Sequence, residues 1–334
     1  MAIKVGVIGT GNIGTDHVTR LASQVVGSKV VAVFDVDTAR AERVGAGVGA
    51  VTRATALEVI EDPVVDAVVI ASPGDLHAEQ VLACIAAGKP VLCEKPLATT
   101  TADCLKVVEA EVSSGRRLIQ VGFMRRYDPG YKVVKDAIDN GTIGEALLAH
   151  MVHRNAVVPD SFTSSMAMTD SVIHEIDTTR WLFGQEIVRT TVVATKPSPL
   201  AAAHLRDPQI VLLELAGGGV VTVEVFVNCQ YGYDVRCEVV GSAGVVALET
   251  PGANALIRDG RRIETVPADW RVRFGATYLA ELQEWISGLL AGAVAGPSTW
   301  DGYAATAVAE SAVASLESGA PVPVGLVERP GLYT

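Results

Sequence analysis

Short apolar runs alternate with stretches of helical length over the first third of the chain. Each run is β-branched or continuously apolar and stops at polar or turn residues, which is typical of a buried strand. The predicted strands are 2–8, 30–34, 67–71, 90–93 and 117–121. Helices are predicted between them, up to about Ala22 and at 38–48, 76–87 and 101–114. This alternation indicates a doubly wound parallel sheet covered on both faces, assigned to a first domain over residues 1–122.

The pattern changes after Phe123, where strands with alternating or continuous apolar positions are joined by glycine-rich links. Strands are predicted at 187–195, 209–216, 219–228, 235–240 and 244–249. Helices are predicted near 129–139, 170–183, 276–291 and 302–318. Consecutive strands of this kind favour a largely antiparallel sheet in a second domain over residues 123–334. The helix near 302–318 is a candidate to pack back on the first domain.

Composition narrows the class of protein. The chain has 334 residues, with 27 Lys and Arg against 38 Asp and Glu, and a formal net charge of −11. An acidic chain without a concentrated basic run disfavours nucleic acid as a partner. No apolar stretch approaches the roughly 20 residues of a membrane-spanning helix, and the first residues lack the pattern of a secretory signal. We therefore expect a cytoplasmic protein without a membrane partner.

The sequence Gly9-Thr10-Gly11-Asn12-Ile13-Gly14 lies between the first strand and the first helix. In that context the glycines predict a dinucleotide-binding turn, with Gly9 for the tight turn, Gly11 for approach of a pyrophosphate and Gly14 for helix packing. The main-chain N–H groups of Asn12 and Ile13, at the start of the helix, would face the phosphates. A turn that is merely flexible is the alternative.

Asp35 ends the second strand, where a carboxylate can accept hydrogen bonds from the adenosine ribose. A 2′-phosphate would meet like charge there, so NAD is predicted rather than NADP. Arg40 and Arg43 follow closely and could partly accommodate a phosphate. Alternatively, Asp35 only caps the next turn. Ser72, at the end of the third strand, and His77, at the next helix start, complete the predicted cofactor edge.

Glu94-Lys95-Pro96 follows the fourth strand, at the edge where a doubly wound sheet binds its ligands. Pro96 restricts Lys95 to an extended conformation. A lysine held there could place its ammonium beside a nicotinamide and stabilise a developing alkoxide, with Glu94 at the cofactor. The alternative is an ordinary solvated lysine.

The helix predicted over 170–183 carries Asp170, His174, Asp177 and Trp181 at spacings of four, three and four, on one face. Two carboxylates beside one imidazole predict a general base, because a carboxylate orients the ring and raises its basicity. The alternative is a capping Asp170 and a hydrogen-bonded core histidine. A metal site is not predicted, since no third ligand lies at a diagnostic spacing and the five cysteines form no CxxC pair.

Taken in order, these motifs resemble those of the Gfo/Idh/MocA oxidoreductases. The segments that carry the resemblance are GTGNIG, CEKPLATT, MTDSVIHEIDTTRWL, VGFMRRYDPGY, HRN at 153–155 and NCQYGYDVRCEVVG. The resemblance implies an N-terminal Rossmann domain, a C-terminal α/β domain with a large open sheet, and a homotetramer. It also implies that Lys95, Asp170 and His174 form a catalytic triad in which His174 accepts the proton. One departure is Ser171, where a threonine is expected.

The same resemblance implies the substrate. Arg125, Asn155 and Tyr233 are expected to contact a cyclic polyol, together with the three triad residues. The implied reaction is NAD-dependent oxidation of the 2-hydroxyl of myo-inositol to the 2-ketone. Three alternatives remain open at this stage: another inositol stereoisomer, a pyranose such as glucose, and a non-catalytic protein that senses NAD.

Overall fold

A computed structural model describes residues 2–248 and 255–334, without the side chains of 255–258 and 262–264. The chain forms two compact units, each assembled from segments distant in sequence. The first comprises Met1–Met124, Tyr278–Thr306 and Leu326–Thr334. The second comprises Arg125–Thr277 and Ala307–Gly325.

The first unit contains a parallel sheet, as predicted, and it has six strands. Its strands are β1 (Ile3–Ile8), β2 (Ser28–Phe34), β3 (Val51–Thr52), β4 (Ala67–Ile70), β5 (Val91–Glu94) and β6 (Ile119–Gly122). The spatial order is β3-β2-β1-β4-β5-β6, so the chain reverses direction across the sheet between β1 and β4. In a doubly wound sheet this switch point, at the carboxyl ends of the strands, is where ligands bind.

Five helices connect these strands, namely α1 (Asn12–Ser23), α2 (Thr38–Val48), α3 (Ala56–Glu61), α4 (His77–Ala86) and α5 (Thr101–Ser114). The core forms because central strands are apolar on both faces. Val5, Val7 and Val33 are fully buried and cluster with Val18 and Leu21 of α1. The short elements β3 and α3 were not predicted, since two or six residues are too few to show a clear periodicity.

The second unit contains a seven-stranded sheet. Its strands are β7 (Ala146–Arg154), β8 (Ile187–Ala194), β9 (Gln209–Leu215), β10 (Val220–Phe226), β11 (Asp234–Gly241), β12 (Val245–Leu248) and β15 (Val322–Pro323), in the order β12-β11-β7-β10-β9-β8-β15. Only the β10–β7 pair is parallel among the pairings described, so the predicted, largely antiparallel sheet is confirmed. The strand predicted over 244–249 extends to Glu249, which lies outside the described residues.

The remaining elements are α6 (Pro129–Asp139), α7 (Ser164–Met166), α8 (Ile173–Phe183), α9 (Trp270–Leu290), α10 (Thr299–Ser318) and the hairpin of β13 (Ala255–Arg258) and β14 (Arg261–Glu264). Asp128 caps α6 by accepting hydrogen bonds from the main-chain N–H groups of Gly130 and Tyr131. Among the residues described, every helix is too short or too polar to cross a membrane.

Candidate active site

The glycine-rich turn of the first unit is shaped by close main-chain contacts. Gly9 has φ +88°, and a Cβ there would lie 2.5 Å from main-chain atoms of Ala71 and Ser72. A Cβ at Gly14 would lie 1.9 Å from the carbonyl oxygen of Gly9. Both positions therefore require glycine, for the reasons that the motif predicts.

Gly11 differs from these two, because a Cβ there would meet no atom within 4 Å. It is the residue before α1, whose first turn receives no side-chain cap. The unpaired N–H groups at the start of α1 thus adjoin open space, as a pyrophosphate requires. The turn fits the phosphate portion of a dinucleotide.

Asp35 follows β2 and holds the glycine-rich turn. Its Oδ2 accepts hydrogen bonds from the main-chain N–H of Thr10 at 2.6 Å and from the Thr10 hydroxyl at 3.1 Å. Arg40 donates to Oδ1 at 2.6 Å. Burial raises the pKa of Asp35, but the hydrogen bonds from Arg40, Asp37 and Thr10 outweigh that effect and hold it below its usual value. The carboxylate is therefore ionised at neutral pH.

Asp35 also lines a cavity of about 240 Å³. The cavity is bounded by Gly9, Gly11, Phe34, Asp35, Val36, Arg40, Ala71, Ser72, Pro73, Leu76 and Gln80. Four predicted cofactor residues, Gly9, Gly11, Asp35 and Ser72, thus meet at one cavity. The adjoining switch point between β1 and β4 makes it a suitable place for the adenosine half of a dinucleotide.

Glu94 ends β5, and Lys95 follows it, half-buried. His17 of α1 lies with Nε2 2.7 Å from Oε1 of Glu94. His77, the first residue of α4, lies with Nδ1 2.7 Å from the carbonyl oxygen of Pro96. Every predicted cofactor residue of this edge belongs to the first unit.

In the second unit, the helix predicted over 170–183 differs from the structure at its start. Residues Ala167–Val172 form a π-helical segment, and α8 begins only at Ile173. Asp170 is exposed in the π-helical segment, and His174 lies in the first turn of α8 with 8% exposure. Such segments are rare and frequently occur at functional sites, but local propensity does not signal them.

Asp177, on the predicted face of the same helix, is buried and forms an ion pair with Arg126. Arg126 donates to Asp177 from Nε at 3.0 Å and from Nη2 at 2.5 Å. This bidentate pair gives the Asp177 carboxylate a partner that the helical spacing did not predict. The helical spacing was correct for α8, but it does not specify which neighbouring element a carboxylate faces.

A charged cluster surrounds Glu175, the residue after His174 in α8, which is fully buried. Arg125 forms an ion pair with Glu175 through Nη1, and His153 lies with Nδ1 3.0 Å from both carboxylate oxygens. Burial raises the pKa of Glu175, but the charge of Arg125 and the hydrogen bonds from His153 and Arg125 lower it below its usual value. The cluster therefore contains an ionised carboxylate and a guanidinium.

This cluster extends to His174 and Tyr233. The rings of His153 and His174 are stacked with centroids 6.5 Å apart, and Tyr233 meets His153 edge to face at 5.9 Å. Burial raises the pKa of Tyr233 to about 12, which keeps its hydroxyl protonated. Three predicted substrate residues, Arg125, His174 and Tyr233, thus share one polar cluster, rich in groups that can bind hydroxyls.

Asn155 follows β7, and its main chain joins two neighbouring segments. Its N–H donates to the carbonyl oxygen of Phe226 at 3.0 Å, and its own carbonyl oxygen accepts from the N–H of Cys229 at 3.0 Å. The side-chain Oδ1 is buried and has no hydrogen-bond partner among the residues described. It is an acceptor that a bound hydroxyl could satisfy.

His153 and Glu175 are site residues that sequence reasoning missed. In β7, Ala149, Met151 and His153 are buried, whereas His150 is exposed. This period of two distinguishes His153 from His150 and could have indicated its inward orientation. The burial of Glu175 had no comparable signal, because it depends on Arg125 across the unit.

Possible metal ligands and cysteines are two further groups of side chains in the described part of the chain. No three or more His, Cys, Asp and Glu side chains come together there as a possible metal site. All five cysteines are free thiols.

Comparison with known proteins identifies the class. Residues 3–123 match the oxidoreductase family with an NAD-binding Rossmann fold, and residues 135–324 match the C-terminal alpha/beta domain of the same family. The chain belongs to the Gfo/Idh/MocA oxidoreductases. The prediction of an NAD-binding Rossmann domain followed by an α/β domain is confirmed.

More specific similarities cover the whole chain. It is 52% identical over 333 residues to inositol 2-dehydrogenase 3 of Saccharopolyspora erythraea, covering 100% of this chain and 98% of that protein. It is 49% identical over 335 residues to inositol 2-dehydrogenase of Pseudomonas savastanoi pv. phaseolicola, covering 100% of both. The crystal structure of myo-inositol dehydrogenase from Lactobacillus casei, in complex with NAD(H) and myo-inositol, is 36% identical, with a TM-score of 0.97 and full coverage of both chains.

Proposed function

We propose that this protein oxidises the 2-hydroxyl of myo-inositol to the 2-ketone, with NAD⁺ as the oxidant. The observation that carries the proposal is the polar cluster around His174, in a chain whose first unit is an NAD-binding Rossmann domain. The inositol dehydrogenases to which the chain is similar along its whole length support the choice of substrate.

The cofactor site is assigned to the first domain, over residues 1–122. The turn at Gly9, Gly11, Asn12, Ile13 and Gly14 would hold the pyrophosphate, and Asp35 would hold the adenosine ribose. Ser72 and His77 would line the cofactor edge, and Glu94 and Lys95 would lie beside the nicotinamide. Bound NAD⁺ supplies the two-electron oxidant that the oxidation of a carbinol needs.

Three residues are assigned to remove the proton of the substrate hydroxyl and to stabilise the charge that develops on its oxygen. His174 accepts the hydroxyl proton as the general base, and Asp170 orients its imidazole. The Lys95 ammonium stabilises the oxygen from which the proton leaves.

The polyol is assigned to the second domain, over residues 123–334. Arg125, Asn155 and Tyr233 would bind hydroxyls, in addition to the three catalytic residues. A guanidinium donates only, an amide oxygen accepts, and a phenol does both, so this set can bind several hydroxyls of a ring. We further propose that the protein is a cytoplasmic homotetramer assembled through the sheet of this domain.

The test is NADH formation with the purified protein on myo-, scyllo- and D-chiro-inositol and on glucose. We expect the highest kcat/KM with myo-inositol and 2-keto-myo-inositol as the product, identified by mass spectrometry and NMR. Preference for another cyclitol or for glucose would overturn the substrate assignment. NADH binding without turnover of any polyol would instead indicate a sensor of the cofactor.

A further inference from the structure

The turn Glu94-Lys95-Pro96 is held by two buried histidines, one on each side of Lys95. Nε2 of His17 lies 2.7 Å from Oε1 of Glu94, and Nδ1 of His77 lies 2.7 Å from the carbonyl oxygen of Pro96. The two residues are 0% and 1% exposed. The residue before Lys95 and the residue after it thus each contact a buried histidine.

His17 connects this turn to the helix that follows the glycine-rich turn. It lies on the buried face of α1, three residues after Gly14, and Tyr278 contacts its ring edge on, with centroids 5.8 Å apart. Because His17 belongs to α1, its bond to Glu94 connects the turn to that helix. The start of α1 is the proposed pyrophosphate site.

The position of the Glu94 side chain is also limited from the neighbouring strand. Glu94 pairs with Gly122 in the register of β5 and β6. A Cβ at Gly122 would lie 3.0 Å from Oε2 and 3.2 Å from Cα and Cδ of Glu94. Gly122 therefore leaves the space in which the carboxylate meets His17.

His77 connects the turn to the end of β4. Its Nε2 lies 2.9 Å from the carbonyl oxygen of Ser72, while Nδ1 faces Pro96. Both partners are carbonyl oxygens, which only accept hydrogen bonds. A neutral imidazole donates from one nitrogen, so the protonated ring satisfies both partners and the neutral ring satisfies one of them.

We propose that His17 and His77 are positioning residues that determine where the Lys95 ammonium lies, acting through Glu94 and Pro96. The inference rests on the proposed role of Lys95. Lysine has a long flexible side chain, so holding the two residues that flank it restricts the point from which its ammonium reaches out. Positioning of this kind affects rate, because a small displacement of a catalytic group has a large cost.

The first test uses matched substitutions at His77. The amide nitrogen of Asn in His77→Asn lies near the position of Nδ1 and can still donate to Pro96, whereas in His77→Gln it lies near Nε2 and can donate to Ser72. We expect kcat to fall about 10-fold to 100-fold further in His77→Gln than in His77→Asn, with smaller changes in KM. Similarly, His17→Gln should keep the bond to Glu94 and retain more kcat than His17→Ala. His204→Gln, outside the proposed site, is the control.

The second test measures the chemical reactivity of Lys95 in the absence of any polyol. Acetylation of the folded protein by acetic anhydride, followed by mass spectrometry, gives the reactivity of Lys95 relative to the exposed Lys29. We expect this ratio to change in His77→Gln and His17→Ala and to match the wild type in His77→Asn, His17→Gln and His204→Gln. Equal ratios and equal kcat for both His77 variants would overturn the inference. Wild-type protein that oxidises no polyol would refute the proposed function, while the reactivity of Lys95 would still decide the positioning role.

Discussion

In the first unit the glycine-rich turn is shaped by main-chain contacts of its glycines, whereas in the second unit the polar cluster is held by a buried ion pair. The glycine-rich turn depends on contacts of Gly9 and Gly14 with the main chain. In the second unit, Arg125 and Glu175 are each at most 1% exposed and pair with one another. The glycine-rich turn leaves open space beside its main chain, whereas the Arg125–Glu175 pair keeps two charges buried away from water.

This difference matches the ligand proposed for each unit. A pyrophosphate is anionic and is well bound by N–H groups at a helix start, so side chains there would only obstruct it. A neutral polyol offers many donors and acceptors and needs fixed polar side chains. Buried charged groups provide fixed partners, but the loss of one partner leaves the other uncompensated. The second unit should therefore be the more sensitive to single substitutions.

The largest expected effect on activity is that of His174→Ala. Loss of a general base reduces turnover by about 100-fold to 10,000-fold, while NAD binding by the first unit should persist. Steady-state kcat with the best polyol and NADH titration by fluorescence measure the two properties. Near-wild-type turnover in this variant would exclude His174 as the base.

The largest expected effect on stability is that of Glu175→Gln. It leaves the charge of Arg125 buried without its counterion, which costs about 3–5 kcal/mol in the free energy of unfolding. Hydrogen exchange should show that this loss is confined to the second unit. The double variant Arg125→Met/Glu175→Leu is the control, because it removes both charges and should recover much of the loss. A double variant less stable than Glu175→Gln would contradict this account.

A smaller effect, in the first unit, distinguishes two glycines. Gly14→Ala places a methyl group against the carbonyl oxygen of Gly9 and should cost about 1–3 kcal/mol in stability. Gly11→Ala meets open space, so we expect wild-type thermal stability and about tenfold weaker NADH binding, equivalent to about 1.4 kcal/mol. Wild-type NADH affinity in Gly11→Ala would show that the pyrophosphate does not approach this residue.

The smallest expected effect is a loss of stability of the second unit at low pH. Burial raises the pKa of Asp128, but Arg273 and Thr277 outweigh that and hold it below its usual value, as Arg125 and His153 do for Glu175. Because these folded-state pKa values are lowered, their contribution to stability is complete above the unfolded pKa of about 4 and is lost as pH falls through the folded pKa. Chemical denaturation at decreasing pH should therefore show the second unit losing stability below about pH 4. Asp128→Asn should weaken this dependence, and an unchanged pH profile would contradict it.

Much of the first unit was predictable because its signals are local. Five of its six strands and the roles of Gly9 and Gly14 follow from short runs of residues whose neighbours lie nearby in sequence. The site of the second unit was less predictable. Arg125, His153 and Glu175 are separated by 28 and 22 residues along the chain, and no local pattern joins them.

The sequence by itself determined the alternation of strands and helices, the glycine-rich turn and the family of oxidoreductases, because these depend on periodicity and on short motifs. Only the tertiary structure decided that Asp177 pairs with Arg126, that Glu175 pairs with Arg125, and that His17 and His77 flank the Lys95 turn. The physical reason is that burial and partner choice depend on which elements pack together. The sequence pattern around a charged residue does not show whether that residue faces solvent or a buried counterion.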